Sequence, residues 1–157
     1  MFEPFFEWCE GLAMSQAYRE SLWLFAVTQS LHLVAIATFV GAILIVDLRL
    51  LGWGVIRQSR AAIARSAQPI LLWAGLAVLT TGIPQFTANA LTYYRSPTFV
   101  LKMWILVAAV VFTATLRRSV VAADEGRVSP WVLKAVGAAS VALWMAVAIS
   151  GRLITYY

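Results

Sequence analysis

The only histidine in this chain, His32, stands inside a long apolar run that begins at Leu22, with Gln29 one helical turn before it. An ionisable side chain in a membrane-spanning segment is costly to bury and is a functional candidate for that reason. At 1.5 Å per residue, His32 lies about 15 Å from the start of the run. Thr80, Thr81 and Gln85 bring polar groups to a similar depth in a second apolar run. Gly82 and Pro84 are expected to interrupt that run, freeing backbone carbonyls and marking a cavity. Trp144 and Met145, in the last run, are expected level with His32, and Lys102 and Arg152 nearer the surface.

This constellation admits three uses. In a haem b site, His32 and Met145 serve as the axial pair while Lys102 and Arg152 meet the propionates. In a small-solute or metal-ion permease, Gln29, Thr81, Gln85 and Trp144 line a polar pocket around His32. In a non-catalytic subunit, the same groups are hydrogen bonds between helices.

Other pairs carry less chemistry. Asp47 and Arg49 are two apart and do not face each other on a helix. They read as anchors, Arg49 on lipid phosphate and Asp47 on an arginine of the next joint. Cys9 and Met14 are two soft ligands without a nearby histidine, too few to hold a metal. With one cysteine, no intrachain disulfide forms. There is no phosphate loop, no HExxH and no nucleophile with its base, so an enzyme acting on its own is not expected. No carboxylate is expected in the core of any span, which argues against a carboxylate-based proton pump.

The elements that must position these groups are helices. A span needs about 20 mostly apolar residues, and four windows qualify, at about 22–46, 70–90, 99–116 and 131–154. The expected fold is all-α, a single integral membrane four-helix bundle over 1–157. Phe2, Phe5, Phe6, Trp8, Leu12 and Met14 mix with acids ahead of the first span, and predict one short amphipathic helix lying in the interface. A further amphipathic stretch is expected before Pro69.

Hydrophobic residues make up 62% of the chain and charged residues 12%, about half the charge of a soluble domain. Lipid must therefore be the main solvent. The net charge of +5 does not indicate nucleic acid, because the basic residues fall between the apolar runs. Arg49, Arg57, Arg60, Arg65, Arg117, Arg118, Arg127 and Lys134 fall on one side, and Arg19, Arg95, Lys102 and Arg152 on the other. The positive-inside rule then places the first group in the cytoplasm and both termini outside, with Tyr93, Tyr94, Tyr156 and Tyr157 as the outer aromatic belt. No cleavable signal peptide is expected. Ala138, Ala142, Ala146 and Ser150, at four-residue spacing, and Ala37 with Gly41 predict small-residue seams for close helix packing.

The stretch Ser30–Gly52, which contains LHLVAIATFVGAILIVDLRLLG, resembles the first-helix signature of an uncharacterised family of small four-helix bacterial inner-membrane proteins. Thr81-Gly82, the segment SPTFVLKM over 96–103 and SGRLI over 150–154 match it as well. The resemblance implies the fold, a multi-pass place in the bacterial cytoplasmic membrane, and attention to His32, Asp47, Arg49, Lys102 and Arg152. A more distant similarity runs to membrane domains of copper-resistance proteins and b-type cytochromes, which carry more histidines than this chain. Seven tryptophans and the small-residue seam suit an accessory subunit of a larger membrane complex or a homo-oligomer, with the lipid bilayer as the other partner.

Overall fold

The computed structural model describes residues 3–54, 57–124 and 126–153, with side chains described through Gly151. The expected roles of Arg152, Tyr156 and Tyr157 lie outside the described side chains. The described residues form α1 (Glu3–Gly11), α2 (Ala13–Glu20), α3 (Leu22–Leu51), α4 (Arg60–Ala88), α5 (Ala90–Arg95), α6 (Pro97–Phe112), a π-helical turn (Thr113–Arg117), α7 (Arg118–Ala122) and α8 (Pro130–Leu153). Four helices are long and apolar enough to cross a membrane: α3, α4, the rod from Pro97 to Ala122, and α8.

Local chemistry sets the boundaries. Ser21, Ser59 and Ser96 cap α3, α4 and α6 by accepting from Leu24 N, Ala62 N and Phe99 N. Pro97 occupies the first turn of α6, where its missing N–H costs nothing. Gly52 ends α3 at φ 85°, the left-handed conformation that glycine adopts without a Cβ penalty.

The packing is that of a protein dissolved in lipid. Ala35, Ala42, Ala67, Ala74, Ala88, Ala90 and Ala109 are buried, whereas Leu22, Leu33, Val34, Leu72 and Leu101 face outward. Small interior residues let helices approach closely where no hydrophobic force between them operates. Of the seven tryptophans only Trp144 is buried.

Several elements differ from expectation. The N-terminal segment is two helices, broken at Leu12, whose extended backbone leads into α2. Both pack on the bundle end. Arg19 donates to Ala88 O (2.9 Å) and Glu10 O (2.7 Å), and Glu10 Oε1 accepts from Leu91 N (2.8 Å). Phe6 packs against Phe86 and Tyr94. Neither proline of α4 breaks it: Pro69 and Pro84 both lie inside one continuous helix. Each removes a single backbone donor, a loss that a membrane helix tolerates when neighbouring groups satisfy the freed carbonyl. The stretch before Pro69 is thus the start of the second span.

The four-residue seam on α8 does not form. Ala138 and Ala142 are exposed, and the packed face carries Val136, Gly137, Ser140, Trp144 and Ser150. At 3.6 residues per turn, each four-residue step rotates by about 40°, so strict four-residue spacing winds off the contact face within three steps. Ala37 is likewise exposed, and Gly41 has open space where a Cβ would stand.

Candidate functional site

Polar side chains gather at two levels of the bundle interior. The first is near the arginine-rich end. Asp47 on α3 is 0% exposed and Arg117, at the end of the π turn, is 6% exposed. Arg117 Nε donates to Asp47 Oδ1 (2.6 Å), its Nη2 donates to Ile43 O (3.1 Å), and Ser140 Oγ on α8 donates to Asp47 Oδ2 (2.6 Å). Both carboxylate oxygens are therefore occupied, as a buried charge requires. Asp47, expected to pair with an arginine of the next joint, pairs instead with Arg117 at the end of the third span, in a buried link across three helices.

The π turn explains how an arginine past the predicted end of the third span reaches the interior. Ala109 is fully buried on α6. Eight residues further on, an ideal α-helix would place Arg117 about 80° around the rod; one extra residue in a turn takes back about 100° and restores both to one face. The span then continues through α7 to Ala122.

The second level holds His32. Its Nδ1 lies 2.8 Å from Thr81 Oγ1. The Thr81 hydroxyl is also within hydrogen-bond reach of Ala77 O, and the imidazole tautomer sets which group donates in the His32–Thr81 bond. Gln85 Nε2 donates to Thr81 O (3.0 Å) and Thr28 O (3.5 Å). Lys102 on α6 places its ammonium beside Gly151 of α8, 3.5 Å from where a Cβ would stand. A Cβ at Gly82 would stand 2.9 Å from His32 Cε1, so the ring nests on α4 only because residue 82 has no side chain. Phe86, Tyr93 and Phe99 stack beyond this level, and burial pushes the Tyr93 hydroxyl above its ordinary pKa.

Of the expected site residues, the structure brings together His32, Thr81 and Gln85, and sets Lys102 beside Gly151 of α8. Gln29 is half-buried on the same α3 face with no hydrogen bond among the described residues. Trp144 and Met145 are elsewhere. Trp144 packs edge-on against Phe39 and donates to Thr113 Oγ1 (3.1 Å), and Met145, 50% exposed, lies with Val40 and Leu44. The Ser140–Asp47 bond sets this register. From it His32 is about 22 Å along α3, while Met145 is only about 8 Å along α8. Counting both helices from flush ends misled, because α3 projects past α8 at the N-terminal end, leaving Leu22 and Trp23 outside the packing. His32 and Met145 therefore do not form an axial pair for haem. Among the described residues no three His, Cys, Asp or Glu side chains gather to hold a metal.

Sequence reasoning missed Ser140, Gly137 and Thr113. The signal available was Gly137 with Ser140, a turn apart in an otherwise apolar helix.

His32→Gln is expected to cost little, because glutamine also bridges helices and such bonds average about 0.6 kcal/mol. Gly82→Ala is expected to cost more, about 1–3 kcal/mol, since it drives a methyl into the ring. Unfolding of both variants in detergent checks the order; the reverse order would mean His32 holds more than one bond.

Four apolar helices around a largely small-residue interior with two polar levels define a multi-pass membrane protein. The chain belongs to a family of unknown function, DUF6644, whose family model matches residues 5–157. No curated protein and no solved structure matches it.

Proposed function

We propose that the protein is a non-catalytic accessory subunit of a larger complex in the bacterial cytoplasmic membrane, with both termini outside. A groove between α3 and α4 carries this reading. It is about 600 Å³ and is lined by Leu31, Ala35, Thr38, Trp73, Ala74 and Ala77 among others. It opens sideways at membrane depth and runs about 18 Å along α4. Small residues at its floor allow a helix backbone to come close, the condition for association in lipid. The occupant is a transmembrane helix of another subunit. The permease reading has less support, since the Phe39–Trp144 contact separates the His32 level from the Asp47 level.

A photoreactive benzoylphenylalanine in place of Trp73, inside the groove, is expected to cross-link a second membrane polypeptide in native membranes, and Ala74→Trp in the same chain to abolish the adduct by filling the groove. The same probe at Trp104, outside the groove, should give none. An adduct of two copies of this chain would replace the hetero-complex with a homo-oligomer. No protein adduct would remove the reading.

The orientation has its own test. A C-terminal alkaline phosphatase fusion is expected to be active and a C-terminal fluorescent protein dark, from the bias of basic residues to one end. The opposite pattern would invert the topology.

A further inference from the structure

We infer that the partner helix seated in the α3–α4 groove carries an aspartate or glutamate level with Arg65, and that the two form an ion pair. That pairing rests on the docking site proposed above, and it gives the partner a chemistry. Three contacts fix the antiparallel register of α3 and α4. His32 Nδ1 lies 2.8 Å from Thr81 Oγ1, Gln85 Nε2 donates to Thr28 O at 3.5 Å, and a Cβ at Gly75 would stand 3.4 Å from Phe39 Cε2. Followed toward the arginine-rich end, each pair brings Arg49 of α3 level with Ala64 or Arg65 of α4. Both arginines continue the faces that line the groove. Leu31, Ala35 and Thr38 line it, and Ala42, Ile45 and Arg49 extend the same face at three- and four-residue spacing. Arg65 comes one turn before Pro69, the lining residue of α4 nearest this end, and about 40° round the helix from it.

The two arginines differ in what they already hold. Arg49 Nε donates to Gln58 O at 2.9 Å. Arg65 is exposed and takes part in none of the ion pairs among the described residues, which join Arg95 to Glu3, Arg117 to Asp47 and Arg127 to Asp124. The chain has little to neutralise it with. Beyond Glu20 the acids of the sequence are Asp47, Asp124 and Glu125. Asp47 is engaged by Arg117 and Ser140, Asp124 by Arg127, and Glu125 lies outside the described residues. The groove itself asks for an apolar helix face, since its hydroxyls have partners within the bundle: Thr38 donates to Val34 O at 2.8 Å, and Thr81 reaches Ala77 O and His32. A helix lying on Pro69 passes within one turn of Arg65 and displaces the lipid that would otherwise meet the guanidinium. A carboxylate on that helix replaces the lipid phosphate, in the planar two-bond geometry that arginine favours. Charge complementarity of this kind sets partner choice and register more than affinity. Trp73, inside the groove, is eight residues from Arg65, about 12 Å along α4. The acid therefore stands about eight residues from the point where the partner touches Trp73, toward the arginine-rich end.

The test uses the full chain in native membranes with benzoylphenylalanine in place of Trp73. The adduct is digested and the cross-linked residue of the partner is mapped by mass spectrometry. An aspartate or glutamate is expected within about one turn of the position eight residues toward the arginine-rich end. Arg65→Gln should lower the adduct yield by about three- to five-fold at equal protein level, the upper range for an exposed ion pair. Arg118→Gln is the control. It removes an exposed arginine of α7 at a similar level, as the bonds from Arg60 to Ala123 O and Asp124 O set the two helices, and should leave the yield unchanged. Arg65→Glu should lower the yield further, and an arginine in place of the partner's acid should restore it. The photoprobe at Ser66, exposed beside Arg65, should capture the same polypeptide. A Trp73 adduct whose yield Arg65→Gln leaves unchanged, or whose partner has no acid in that stretch, would overturn the ion pair and leave the groove as a docking site. A Ser66 probe that captures phospholipid alone would assign Arg65 to a headgroup and overturn the pair in the same way. No protein adduct at Trp73 would remove the docking site and the pair together.

Discussion

Asp47→Ala is expected to destabilise the bundle by about 3–5 kcal/mol, the usual cost of removing one member of a buried ion pair. The variant leaves Arg117 buried with only the Ile43 carbonyl, and takes from Ser140 its acceptor. Most of that loss belongs to the stranded charge and not to the pair. The combined variant Asp47→Leu, Arg117→Met, Ser140→Ala removes every polar member and should therefore recover most of the stability, since apolar replacements of buried pairs are often neutral or better. Unfolding free energies in detergent decide both points. A single variant within about 1 kcal/mol of wild type would show that water or lipid headgroups reach Arg117 and that the link is not sealed.

Gly137→Leu is expected to have an effect of similar size. A Cβ at residue 137 would meet Asp47 O at 3.1 Å, Leu50 Cβ at 3.1 Å and Leu51 Cγ at 3.2 Å. The first two are a backbone atom and the atom nearest it, which cannot rotate away, so α8 must withdraw from α3. Withdrawal adds the loss of the Ser140–Asp47 bond, a charge-assisted contact worth about 1.5–3 kcal/mol, to an overpacking cost of about 1–3 kcal/mol. Gly41→Leu is the matched control. Nothing stands within 4 Å of its Cβ position, and its effect should stay within about 0.5 kcal/mol. Ala142→Leu, on an exposed face, should behave like the control. Equal effects at Gly137 and Gly41 would mean the α3–α8 contact is not the tight one.

The four spans were legible because lipid imposes a length and a composition that no soluble segment of this chain meets. The meeting of His32, Thr81 and Gln85 was legible because polar residues are rare enough in such spans that depth alone groups them. Met145 and Trp144 were misplaced because depth counted from helix ends assumes flush ends, and α3 projects beyond α8. The Asp47 link was hidden for a different reason. Arg117 stands where an orientation signal is expected, and only a π turn, which leaves no residue signature in TATLR, carries it inward. Ala142 shows the limit of pattern alone: identical spacing reads as a seam or as lipid-facing surface according to how the helix is rotated.

The order in which the chain is made gives the Asp47 link one more consequence. Ribosomes deliver α3 first, and Arg117 follows 70 residues later, Ser140 93 residues later. Through that interval the first span, α3, carries a carboxylate without these partners, four residues from its end. An unpaired carboxylate is costly below the headgroups, so Asp47 gains its place in the interior only with the third and fourth spans. Closure of this bundle is therefore tied to completion of the chain, and a product truncated before Arg117 would keep an unpaired acid at Asp47.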